Sequence, residues 1–244
     1  MLTTKLNLTG TLFFCLNILC CLTARADGGV NINQTRVIFQ ASNNTQSVTV
    51  NNQGNQLYLL QAGVQLTPDD SSVAPFVVTP PLARLSPDSS NTLRILRQGD
   101  TSLPEDRESL FYLSLMAIPA QSGENPTSDQ SQLSMGFRFL LKLFYRPQGL
   151  QPAPTQTYCQ LQITQNGHRV RITNPGPYYL TFSRLTLGNQ EINLNKQPSM
   201  LAPMSHQDYP IAQPISRAHW QLLTDYGAAS EPCQQTVSAT KEAL

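Results

Sequence analysis

The sequence offers little that a metal or a nucleotide would need. Its three histidines, His168, His206 and His219, share no H-x-x-x-H spacing, so no two imidazoles are set on one helix face for a metal. No G-x-S-x-G, P-loop or G-x-G-x-x-G occurs. That removes the motif grounds for a hydrolase elbow, a phosphate cradle or a dinucleotide site. Charge is scarce and balanced, with 16 basic residues against 15 acidic ones. Such a balance disfavours nucleic acid and anionic membrane surfaces as partners. No apolar period of 3.6 residues is sustained, which argues against a helical bundle. Tryptophan occurs once, at Trp220, and the antibody-type Cys–Trp–Cys order is missing.

The amino-terminal segment is different in kind. Lys5 supplies a positive start, Leu12 to Leu22 an apolar run, and Ala24-Arg25-Ala26 a small-residue cleavage site. Residues 1–26 therefore read as a signal peptide that directs export, with a mature chain beginning near Asp27. The run is too short for a comfortable membrane span. Cys15, Cys20 and Cys21 leave with it, so only Cys159 and Cys233 remain. In an oxidising compartment these two most simply form one disulfide. Lys5 and Arg25 leave too, so 14 basic residues face 15 acidic ones, a net formal charge of −1.

The remaining chain is rich in short apolar runs separated by polar turns. Arg36–Phe39, Ser47–Val50, Leu57–Leu60, Leu93–Leu96 and Leu110–Leu115 have strand character, and clusters such as Asn51-Asn52-Gln53-Gly54-Asn55 punctuate them. Many short strands with polar turns indicate an all-β sandwich. Arg146 to Pro154 holds three prolines and makes a stiff connector. Strand patterns then resume at Cys159–Ile163, Arg169–Ile172, Tyr179–Phe182 and Glu191–Leu194. Two sandwich domains are expected, residues 27–148 and 149–244, with the two cysteines both in the second.

Lys142 is the anomaly. It lies among Leu140, Leu141, Leu143 and Phe144, where an ammonium must reach water, an anion or a ligand. From the residues alone it either snorkels or awaits a negative charge. Upstream, Leu133, Met135, Phe137 and Phe139 alternate with small or polar residues and share one strand face. Ordinary core burial produces the same pattern. The acidic group Glu105-Asp106-Arg107-Glu108 reads first as a charged turn before a strand.

Longer strings are more specific. Thr35–Phe39, Leu103-Pro104-Glu105-Asp106-Arg107-Glu108-Ser109-Leu110-Phe111-Tyr112, Lys142–Pro147, Asn174–Tyr179, Met200–Pro203 and Asp225–Ala228 occur in this order. Together they resemble the periplasmic pilus chaperones of the chaperone–usher pathway, from about residue 30 to about residue 230. Tyr112, Ser114, Gly176 and Met204 depart from the family's usual choices. The resemblance implies two immunoglobulin-like sandwiches set like a boomerang around a cleft. It implies that Arg36 and Lys142 bind the terminal carboxylate of a pilus or fimbrial subunit. Leu133, Met135 and Phe137 would fill the subunit's groove as a donated strand, and Glu108, Arg146 and Asp225 would form an ion network between the domains. The implied partners are pilus subunits and an outer-membrane usher, in the periplasm. Self-association would mask the free form's strand edge. No catalysis, cofactor, metal or small-molecule substrate is implied. Rival readings are a secreted two-domain adhesin or fimbrial structural subunit, and a hydrolase of sandwich fold.

Overall fold

The computed structural model describes residues 29–69, 72, 74–99, 101–120 and 135–239. The first half builds two sheets from β1 (Val30–Ile32), β2 (Arg36–Gln40), β3 (Thr45–Asn52), β4 (Tyr58–Gln65), β5 (Phe76–Thr79), β6 (Leu82–Leu85), β7 (Ser89–Arg97), β8 (Ser109–Pro119) and β9 (Phe137–Arg146). One sheet has the order β1-β3-β7-β5 and the other β2-β9-β8-β4-β6. Period-two alternation explains the core. Val48 and Val50 point inward from β3, Leu93 and Ile95 from β7, Leu113 and Leu115 from β8, and Leu143 from β9.

The first segment of chain serves both sheets. β1 pairs antiparallel with β3, whereas β2 runs parallel to β9. Asn33 makes the crossing possible: its backbone N–H donates to Thr49 O, and its side-chain oxygen accepts the Thr49 N–H, both at 3.1 Å. The crossing leaves Arg36 as the first residue of β2, opposite Lys142 on β9.

After the connector comes a single helical turn, α1 (Pro154–Thr157), and then a second sandwich. Its strands are β10 (Gln162–Asn166), β11 (Arg169–Asn174), β12 (Leu180–Leu187), β13 (Gln190–Glu191), β14 (Met200–Leu201), β15 (Ser205–Pro210), β16 (Arg217–Leu222), β17 (Cys233–Thr236) and β18 (Ser238–Ala239). One sheet reads β15-β11-β10-β18 and the other β13-β12-β16-β17, with β14 on β12. Trp220 and Tyr209 are the largest fully buried side chains. The Trp220 Nε1–H donates to Tyr158 O at 2.8 Å, so the indole pays no penalty for burial. Cys159 and Cys233 are disulfide-bonded across a separation of 74 residues. Closing a loop of that length removes about 4–5 kcal/mol of unfolded-state freedom in the chain-entropy picture.

Glu191–Leu194 does not continue as the strand that its sequence suggests. Beyond Glu191 the chain turns, because Asn193 accepts backbone N–H groups at both of its oxygens, from Asn195 on the side chain and from Lys196 and Gln197 on the carbonyl. An asparagine that offers such local bonds competes with a ladder. Cys159 to Leu161 likewise precede β10 and lie outside it.

Candidate functional site

The junction between the sandwiches is where the expected polar residues meet. Arg146 ends β9 with its side chain 9% exposed. Its Nε donates to Glu108 Oε1 at 2.7 Å, and its two terminal nitrogens donate to the Asp225 oxygens at 2.7 and 2.8 Å. The guanidinium carbon also stands 5.0 Å from the Tyr178 ring centre. Glu108 is buried, and its second oxygen accepts the Tyr179 N–H at 2.8 Å, while its own N–H donates to Pro177 O at 2.9 Å. First-half residues thus grip two separate segments of the second half. A planar fork between two carboxylates fixes direction as well as distance. Burial pushes the Glu108 carboxyl up, against the downward pull of Arg146 and the Tyr179 amide. Burial alone would lower Arg146, but hydrogen bonds and charge from Asp225 and Glu108 hold it above its ordinary value.

Arg36 and Lys142 share one rung of the β2–β9 pairing. Both are half-buried. The Arg36 Nη1 donates to Leu223 O at a long 3.4 Å, its Nε has no described partner, and its guanidinium carbon is 5.9 Å from the Phe144 ring centre. Burial lowers its pKa, and the charges of Asp225, Tyr158 and Glu108 only partly offset this. Lys142 makes no hydrogen bond or ion pair among the described residues, and its pKa is lowered first by burial and then by the Arg36 charge. The nearby carboxylates, Asp225 and Glu108, are already engaged by Arg146. Two adjacent, under-partnered cations with falling pKa values form a site that favours an anion. Arg36, Phe144, Tyr158, Tyr179, Leu223 and Asp225 line a small pocket between the halves.

Residues 29–151 match the family described as pili and flagellar-assembly chaperone, PapD N-terminal domain, and residues 156–234 match pili assembly chaperone PapD, C-terminal domain. The chain belongs to the pilus assembly chaperone family. The chaperone protein FimC of Escherichia coli (strain K12) is 34% identical to it over 209 residues, covering 85% of this chain and 84% of FimC. The chaperone protein FimB/FhaD of Bordetella pertussis (strain Tohama I) is 35% identical over 232 residues, covering 91% of this chain and 93% of that protein. A chain in the solved structure of the Salmonella enterica SafA pilin in complex with the SafB chaperone superposes with a TM-score of 0.75 at 29% identity, covering 87% of this chain and 98% of that one. The E. coli chaperone DraB superposes with a TM-score of 0.73 at 32% identity, covering 86% and 97%.

The strand expected to be donated is only partly described in this pilus chaperone. Leu133 lies outside the described residues. Met135 and Phe137 are 64% and 51% exposed, and β9 begins only at Phe137. From Phe137 to Leu141, β9 pairs with β8 on one side, and no described strand lies on the other. β2 covers that second side only from Lys142 onward. The sequence singles out both cations but not the outward face of this sheet. Leu59, Met116, Ile118 and Leu140 are exposed there, on β4, β8 and β9. Their only sequence signal is large apolar residues at both parities of a strand.

Proposed function

We propose that this pilus chaperone captures a pilus subunit by its C-terminal carboxylate at Arg36 and Lys142 and lends the subunit the open edge of β9. One observation carries the reading: the unpaired edge of β9 starts at the rung that holds the two under-partnered cations. A subunit strand whose terminal carboxylate reaches that rung can only extend upstream, beside Leu141 to Phe137, because β2 blocks the other direction. It therefore runs parallel to β9, and its register is set by the anchored carboxylate. Backbone hydrogen bonds then supply affinity that does not depend on subunit sequence. Met135 and Phe137, with Leu133 at the same sequence parity, fill the subunit's apolar groove.

The work is non-covalent, with no catalytic residue, metal or cofactor. Residues 1–26 direct export and are removed. Residues 27–148 form the subunit-binding domain and residues 149–244 the second domain, and the chaperone hands its cargo to an outer-membrane usher from the periplasm. A fimbrial structural subunit built on the same sandwich would have no use for paired cations beside an open strand edge.

Purification from periplasm tests the reading. Wild-type protein brings down a smaller β-rich chain in a one-to-one complex. Arg36→Ala or Lys142→Ala loses that chain while the chaperone itself accumulates, since an unpaired buried carboxylate costs about 2–5 kcal/mol of binding. Wild-type recovery of the smaller chain by either variant would refute the carboxylate anchor.

A further inference from the structure

The turn after Leu223 reaches back to the start of β2. The Thr224 N–H donates to Ala228 O at 2.8 Å and the Gly227 N–H to Thr224 O at 2.9 Å, while Asp225 is held by Arg146. Gly227 has φ of +81°, and a Cβ built on it would overlap Thr35 Oγ1 and stand 3.6 Å from Thr35 Cβ. Thr35 is the residue immediately before Arg36. Leu223, at the head of the same turn, gives Arg36 its only described side-chain hydrogen bond. The second half therefore touches the first at Thr35 and aims the guanidinium at Leu223, within one short stretch.

We infer that Gly227 is a positioning residue for the anion site. Its missing side chain lets the turn seat on Thr35, and that seat sets where the Arg36 guanidinium points. The inference rests on the carboxylate reading above. A purely local role for Gly227, relieving strain at positive φ, makes different predictions. Any Cβ at position 227 meets both problems, backbone strain and overlap. Bulk added from Thr35 creates the overlap alone, and Thr35→Ala beside Gly227→Ala removes the overlap and leaves the strain.

The probe is a short labelled peptide of alternating apolar and polar residues, made with a free terminal carboxylate or a terminal amide, titrated into the mature chain. Wild type prefers the free acid. Gly227→Ala and Thr35→Ile each reduce that preference about tenfold, the scale of one weakened charge-assisted bond. Gly227→Ala with Thr35→Ala regains most of it. Thr35→Ile carries the test if Gly227→Ala fails to fold, because it leaves the turn's backbone alone. An undiminished preference in Thr35→Ile, or a double variant no better than Gly227→Ala, overturns the seat while leaving the carboxylate anchor standing. Wild type that binds acid and amide alike overturns the anchor, and the seat with it.

Discussion

Lys142 shows what burying one charged residue costs this chaperone. Its depressed pKa means that the unfolded chain holds the proton more firmly than the folded one. Between the folded pKa and the ordinary value of 10.5, stability therefore rises with pH, and below that window the whole penalty is present. Lys142→Met should raise Tm at neutral pH, and the advantage over wild type should shrink as pH approaches 10.5. Solvent screening of a half-buried group keeps the gain below about 1 kcal/mol, or about 2–4 °C in a chain of this size. Thermal melts at neutral and alkaline pH check this. An advantage that does not change with pH would mean that the gain comes from methionine packing and that Lys142 snorkels without penalty. The oddity of a lysine among leucines was legible in the residues themselves, whereas its association with Arg36 came only from the family resemblance. Proximity to Arg36 depends on a parallel pairing between residues 106 positions apart, and no local pattern encodes that register.

At the scale of elements, β9 divides at Lys142 into a half that is paired on both sides and a half that is not. The exposure of Phe137, and of Met135 just before the strand, separates them from Leu141, which is 6% exposed on the same face as Phe137. Met135→Ser with Phe137→Thr should therefore abolish retention of subunits and leave the melting temperature of the free chaperone within about 2 °C, as for surface substitutions. Leu141→Ala should instead destabilise by about 2–5 kcal/mol through the cavity it leaves. Melting curves beside subunit recovery distinguish the two; a Met135/Phe137 variant that melts early would assign those residues to the core. Strands with alternation and one buried face were readable: β3, β7 and β8 carry Val48, Val50, Leu93, Ile95, Leu113 and Leu115 where their period requires. β15 was not readable, since Ser205-His206-Gln207-Asp208-Tyr209-Pro210 buries only Tyr209. Its place comes from backbone pairing with β11. Polar edge strands have no hydrophobic period to find.

Across the whole molecule, the Arg146 clamp ties the two sandwiches together. The two ends of the clamp differ in depth: the Glu108 side chain is 2% exposed and that of Asp225 35%. Loss of Arg146 strands a buried carboxylate, which costs about 3–5 kcal/mol, whereas Asp225→Asn keeps an amide oxygen for the buried fork at a position that solvent reaches, and weakens that pair by about 1–2 kcal/mol. Arg146→Met should thus melt well below Asp225→Asn. Glu108→Gln added to Arg146→Met removes the stranded charge and keeps an oxygen for the Tyr179 N–H, so it should restore much of the stability. It should not restore subunit capture. Without the fork, Asp225 loses its tie to the first half, and the Leu223 carbonyl is left to the long Arg36 bond and the Gly227 contact with Thr35, a weaker hold on the wall of the proposed anion site. Melting and co-purification measured on the same three variants decide the matter. A double variant that is stable and still captures subunits at the wild-type level would show that the clamp only stabilises the junction and does not orient the cleft.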